Sequence, residues 1–112
     1  MSDSIKKSLT DILMCIDGIY FHLQGKRDFK WYTQSLTVKR AVERELSIIG
    51  EAVNRIVKED KNIELSRAKE IIAFRNRVIH SYDAVDDNLV WKILIHDIPV
   101  LHQEIHSLLN KN

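Results

Sequence analysis

An all-α fold, an antiparallel four-helix bundle with a C-terminal helical extension, is what this sequence predicts, and three observations predict it. Only three Gly and one Pro interrupt 112 residues, too few turn-formers for a strand-and-turn architecture. Apolar residues return at three- and four-residue steps over long stretches, the period of a helix with one buried face. Polar breaks at Gly25-Lys26-Arg27-Asp28 and Asp60-Lys61-Asn62 divide those stretches. The length suits one core, so residues 1–112 are expected to form a single helical domain.

Ile5, Leu9, Ile12, Ile16, Ile19 and Leu23 define the first helix, about five turns long. Phe29, Trp31 and Tyr32 fall in the connection that follows and are expected to pack over an end of the bundle. The second helix runs from Leu36 to Lys58, with Val38, Val42, Ile49, Val53 and Ile56 as its seam and Ala41, Ile48 and Ala52 beside it. Gly50 lies at the edge of its apolar arc. A mid-helix Gly costs close to 1 kcal/mol against Ala, so close approach of another helix is the expected reason for it. The third helix spans Ser66 to Tyr82. Asp86 or Asp87 can cap a fourth, in which Leu89, Val90, Ile93 and Leu94 face inward and Trp91 flanks them. Asp97-Ile98-Pro99 reads as a helix restart, because Pro suits a first turn, and Leu101, Ile105, Leu108 and Leu109 continue inward.

With 45% apolar and 29% charged residues, the composition is that of ordinary water-soluble proteins. No apolar run approaches the ~20 residues of a membrane span, and no signal-peptide pattern opens the chain. A cytoplasmic protein with no membrane partner is therefore expected. Cys15 is alone, which excludes an internal disulfide; its position within the helical repeat is that of a small buried hydrophobe. A formal net charge of +1 excludes a strongly basic coat, so RNA, if it binds, must be held by a few placed cations.

Arg75 is the residue that points to chemistry. It stands in Arg75-Asn76-Arg77-Val78-Ile79-His80-Ser81-Tyr82, and at about 100° per residue a helix aims it into the arc of Ala68, Ile71, Ile72, Val78 and Ile79. A guanidinium cannot shed its charge, and desolvating it costs several kcal/mol unless an anion meets it. His80, whose ordinary pKa of roughly 6.5 lets it exchange protons near neutrality, follows five residues later. Tyr82 returns to the face of Arg75, whereas His80 lies about 140° away. Three arrangements could still join Arg75 and His80: a helix that ends or distorts near Ile79, an Arg side chain that wraps round, or a second copy of the chain that completes the site. The dimer is the favoured one.

Arg-x4-His-x-Tyr at the end of a third helix resembles the HEPN superfamily, and within it the HepT-like toxins. Ala41-Val42-Glu43-Arg44 and Ile48-Ile49-Gly50-Glu51-Ala52 resemble that family's second helix, and Leu89-Val90-Trp91 with Asp97-Ile98-Pro99 its C-terminal third. The resemblance covers about Leu36 to Ile105. It implies the toxin of a type VII-like toxin–antitoxin system, a homodimeric, metal-independent endoribonuclease without a cofactor, partnered by a small nucleotidyltransferase antitoxin. It further implies that Arg75 and His80 are catalytic, that Asn76 assists, and that Tyr82 receives AMP from the antitoxin. The substrate would be tRNA or mRNA. Three departures stand out: Ser81 replaces a more usual Gly, Ile63-Glu64-Leu65-Ser66 replaces an expected Pro and Trp, and Ser47 stands where an acidic residue is common.

Structural readings compete with each of these assignments. Arg40, Arg44, Glu51 and Arg55 share the polar face of the second helix, ordinarily a solvated, salt-bridged surface; functionally, Arg44 and Glu51 would brace the motif helix or border an RNA groove. Arg77 points away from Arg75 and is assigned at most an outer RNA contact. Glu45 falls inside the apolar arc of the second helix, and pairing with Arg75 from within the bundle or across the dimer would satisfy the guanidinium without any substrate. His102 and His106 share a face at metal-binding spacing, but no third ligand is evident, so no metal site is expected. His22 and His96 lack motif context, and Trp31 and Trp91 read as packing residues. The alternative function is a catalytically inactive helical module that dimerises and binds the nucleotidyltransferase.

Overall fold

The computed structural model describes residues 1–80 and 85–111, and every regular element among them is helical. These are α1 (Asp3–Leu23), α2 (Phe29–Thr33), α3 (Leu36–Glu59), α4 (Ala68–His80), α5 (Asp87–Lys92) and α6 (Ile98–Asn110). A π-helical turn, Ile93–Asp97, joins α5 to α6 without a break. None of the helices is long and apolar enough to cross a membrane among the described residues.

Four of the six α-helices start on a short polar side chain. Ser2, Asp28, Ser35 and Asp86 accept hydrogen bonds from the backbone N–H groups of Ile5, Trp31, Val38 and Asn88, which a helix's first turn otherwise leaves unpaired. At the C-terminal end of α1, Gln24 and Gly25 take left-handed backbone angles, φ 55° and 69°, and turn the chain away.

The core is a continuous apolar cluster. Ile5, Leu9, Ile12, Ile16 and Ile19 of α1 meet Val42, Leu46, Ile49, Val53 and Ile56 of α3, with Ile98, Leu101 and Ile105 of α6 joining them. α1 packs on α3 and α6, α3 packs on α4, and α4 closes against the π turn.

Three expectations need correction. Phe29–Thr33 is a short helix rather than plain connection, and it drives Tyr32 fully into the core beside Trp91, ring centroids 5.6 Å apart. The expected restart at Asp97-Ile98-Pro99 occurs, with α6 beginning at Ile98, but no break in helical backbone precedes it. Pro99 has no N–H to give, and the chain absorbs that by widening into the π turn, where the Ile98 N–H reaches back to Ile93 O. The fourth helix and its extension are one helical run.

The third correction concerns α4. Its buried residues are Ile71 and Phe74, whereas Ile72 and Val78 are half-buried and Ile79 is 50% exposed. The core face is rotated away from the centre of the arc read from the sequence. Arg75 consequently stands at the open margin of the apolar face.

Candidate functional site

Arg75 is placed by a glycine on the neighbouring helix. Gly50 is buried where α3 and α4 cross, and a Cβ added to it would overlap the Arg75 Cβ and come within 3.0 Å of Arg75 Cγ and 3.2 Å of the Ile71 carbonyl oxygen. The missing side chain lets α4 settle with the base of Arg75 against the backbone of α3. The expected close approach occurs, and Arg75 itself is what approaches.

From that seat the guanidinium turns outward. Nη1 donates to Asn76 Oδ1 at 2.9 Å, and Nη2 lies 3.9 Å from Glu51 Oε1. Nε is buried and meets no acceptor among the described residues. The Arg75 side chain is 27% exposed and that of Glu51 48%, so the pair sits at the surface rather than in the core. Glu45, the expected competitor, is elsewhere: its carboxylate occupies the space over Gly18 of α1. The charge of Arg75 is therefore not sealed inside the bundle.

His80 is exposed, and α4 remains helical up to it. The described part of α4 thus ends one residue past Ile79. Arg75 and His80 leave the helix on different sides, and no contact joins them among the described residues. Tyr82 and Ser81 lie outside the described residues. Arg77 is exposed on the side of α4 away from α3, lining a groove against α5 and the π turn. Arg44 is exposed on α3, two turns before Glu51 and on the same face.

Two groups were missed as site candidates in the sequence. Asp97 is only 3% exposed and borders the Arg77 groove, with Arg67 Nη1 3.6 Å from its Oδ1. Burial pushes its carboxyl above the usual range, and Arg67 pulls it part of the way back. The signal was present, since Asp97 falls among Ile93, Leu94, Ile98 and Leu101 at inward spacing. The sequence marks it only as part of the Asp97-Ile98-Pro99 helix restart. The second is Tyr32, whose hydroxyl is buried without a partner among the described residues and whose acidity is suppressed, first by burial and then by the Glu43 and Asp87 carboxylates.

His102 and His106 bring their Nε2 atoms to 3.2 Å, with Tyr20 edge-on to His102. Among the described residues no third His, Cys, Asp or Glu joins them.

Comparison with known proteins places this geometry in a family context. The model of the HepT-like family, described as ribonuclease HepT-like, matches residues 12–108. Two proteins carrying the name "Putative RNase" are similar. One, from Methanocaldococcus jannaschii, is 33% identical over 94% of this chain and 90% of its own. The other, from Caldanaerobacter subterraneus subsp. tengcongensis, is 33% identical over 74% of this chain and 75% of its own. A protein of Thermococcus cleftensis named "Probable ribonuclease HepT" is 36% identical over 61% of this chain and 63% of its own. No solved structure matches significantly.

Proposed function

The chain belongs to the HepT-like ribonuclease family of the HEPN superfamily, and from that premise we propose that it is an endoribonuclease, the toxin of a toxin–antitoxin pair. Its antiparallel four-helix bundle would act as a homodimer in the cytoplasm. One observation carries the proposal: a guanidinium seated on Gly50, with a buried donor that has no acceptor among the described residues.

In this reading Arg75 holds the scissile phosphate and stabilises charge growing on its non-bridging oxygens, with the planar fork that Lys lacks. Asn76 keeps one arm of that fork oriented. His80 takes the proton of the ribose 2′-hydroxyl. The 2′-oxygen then bonds to phosphorus as the bond from phosphorus to the 5′-oxygen breaks. A second imidazole protonates the departing 5′-oxygen, leaving a 2′,3′-cyclic phosphate and a 5′-hydroxyl. Because Arg75 and His80 diverge within one chain, the second protomer is the natural source of that imidazole. Acid–base help of this kind is typically worth about 10²–10⁴ in rate.

Exchange of His80 for Ala should lower RNA cleavage by at least about 10²-fold, and Arg75→Lys should fall nearly as far as Arg75→Ala. Oligoribonucleotide assays in chelator check both, and unchanged cleavage by His80→Ala would reject the mechanism. Silencing by transfer of AMP to Tyr82 belongs to the same reading, since the added phosphate would compete for the guanidinium. Mass spectrometry after co-expression with a partner nucleotidyltransferase should find AMP on Tyr82; modification of other residues alone would reject that step. If the chain fails to cleave RNA yet binds the nucleotidyltransferase, the inactive-module alternative replaces the enzyme.

A further inference from the structure

The stripe of α4 that carries His80 also lines a groove. At about 100° per residue, Ala73, Arg77 and His80 fall along one side of the helix, four and three residues apart, while Arg75 lies on another. Ala73 and Arg77 form one wall of a groove of about 220 Å³, and α5 with the π turn forms the other through Leu89, Lys92, Ile93 and Asp97. His80 follows Arg77 by about 4.5 Å along the axis, so it continues the wall towards the C-terminal end of α4.

Three properties limit what this groove can hold. Its interior is apolar, with Phe74 and Ile93 each 3% exposed and Ala73 offering only a methyl group. Its walls each carry an exposed cation, Arg77 on α4 and Lys92 on α5, and the exposed carboxylate of Glu70 lies one turn before Ala73, at the end away from His80. It also meets a buried carboxylate, Asp97, whose recorded ion pair with Arg67 is 3.6 Å long. That is too long for a hydrogen bond, so the carboxylate oxygens keep their capacity to accept. An apolar slot, a hydrogen-bond acceptor and cations suited to a phosphate together describe one nucleotide. A plain hydrocarbon would leave Asp97 unanswered, and a free anion would leave the apolar interior empty.

We propose that the groove between α4 and the π turn is a base-selecting subsite, taking the nucleobase beside the cleaved phosphodiester and favouring guanine. Guanine presents its N1–H and N2–H₂ donors side by side, at the spacing of the two oxygens of a carboxylate. Arg77 and Lys92 hold the flanking phosphate, which sets the strand's register with respect to His80. This assignment rests on the ribonuclease reading above, and its test separates the two.

The experiment uses the whole protein on oligoribonucleotides that differ at the two nucleotides flanking the cut, together with a guanosine monophosphate titration followed by amide NMR. Wild type should prefer guanine at one flank by about tenfold or more, the discrimination expected of a good paired contact. Ala73→Trp, at an exposed position, fills the groove and should lower kcat/KM on the preferred RNA about tenfold while erasing the preference. Asp97→Asn should erase the preference, and Arg77→Ala should raise KM on every RNA alike. A guanine preference that survives Ala73→Trp overturns the subsite. If no RNA is cut, the enzyme reading falls independently and the titration decides. Shifts at Ala73, Leu89 and Ile93 that vanish in Ala73→Trp support the groove, and their absence at millimolar nucleotide overturns it.

Discussion

Glu51 holds Arg75 only loosely. At 3.9 Å, with its own side chain 48% exposed, it forms a surface pair worth less than about 1 kcal/mol. Glu51→Gln should therefore shift stability in a thermal melt by less than that amount. KM for RNA should fall, because phosphate no longer competes with a carboxylate for the guanidinium; a rise in KM would show Glu51 to be a needed brace. Cys15 makes a separate prediction. Burial, and then Glu45 and Asp11, push its thiol up to about 11, so at pH 8 a thiol reagent should label the folded chain far more slowly than the unfolded one. At this scale the sequence exposed Arg75 as an anomaly, a fixed charge within a helical apolar repeat. Within the bundle, Glu45 turns to Gly18 and not to Arg75. Glu45 falls within the apolar arc because α1 leaves it a vacancy at Gly18, and that vacancy belongs to another helix, which no reading of α3 alone could show.

The two buried-side glycines of the long helices should respond oppositely to a methyl group. At Gly50 the new Cβ would overlap the base of Arg75 and crowd the Ile71 carbonyl, a backbone atom that cannot swing aside. Gly50→Ala should destabilise by about 1–3 kcal/mol, the range for overpacking, and should cut RNA cleavage as α4 shifts. At Gly18 the obstacle is the far end of the Glu45 side chain, which can rotate away. Gly18→Ala should stabilise by up to about 1 kcal/mol through helix propensity. Melting curves of the pair check both signs. Long elements were legible because many turns repeat the signal: the second helix was expected at Leu36 to Lys58 and runs Leu36–Glu59. The five residues of α2 were too few to show a period, although Asp28 offered its cap. Pro99 announces a start, and α6 starts there; the π turn escaped because only packing decides whether helical backbone is interrupted before such a start.

Across the whole molecule, net charge is small and the charged groups are unevenly buried. Burial, and then Asp87, raise the Glu43 carboxyl above its usual range, while Lys39 and Arg40 pull it down. The folded chain thus binds that proton more tightly than the unfolded chain does. The resulting stabilisation is present below the ordinary carboxylate range and is lost as pH rises through the folded value. Glu43→Gln should melt higher than the parent at neutral pH, with the difference shrinking on acidification. Net charge sets another expectation. With a formal balance of +1, and Arg75, Arg77 and Lys92 as the proposed phosphate contacts, log affinity for single-stranded RNA should fall against log salt with a slope near about −2. A much steeper slope would mean a broader basic surface than these residues provide.

The buried Nε of Arg75 extends this view to the life of the protein. A buried donor with no acceptor among the described residues burdens the fold until something answers it. Whatever lodges there also secures α4, so occupancy and folding form one equilibrium: a ligand at a hundred times its Kd adds about 2.7 kcal/mol. Vacant copies would then be the ones proteases reach first, and survival of the chain would follow the supply of what it grips.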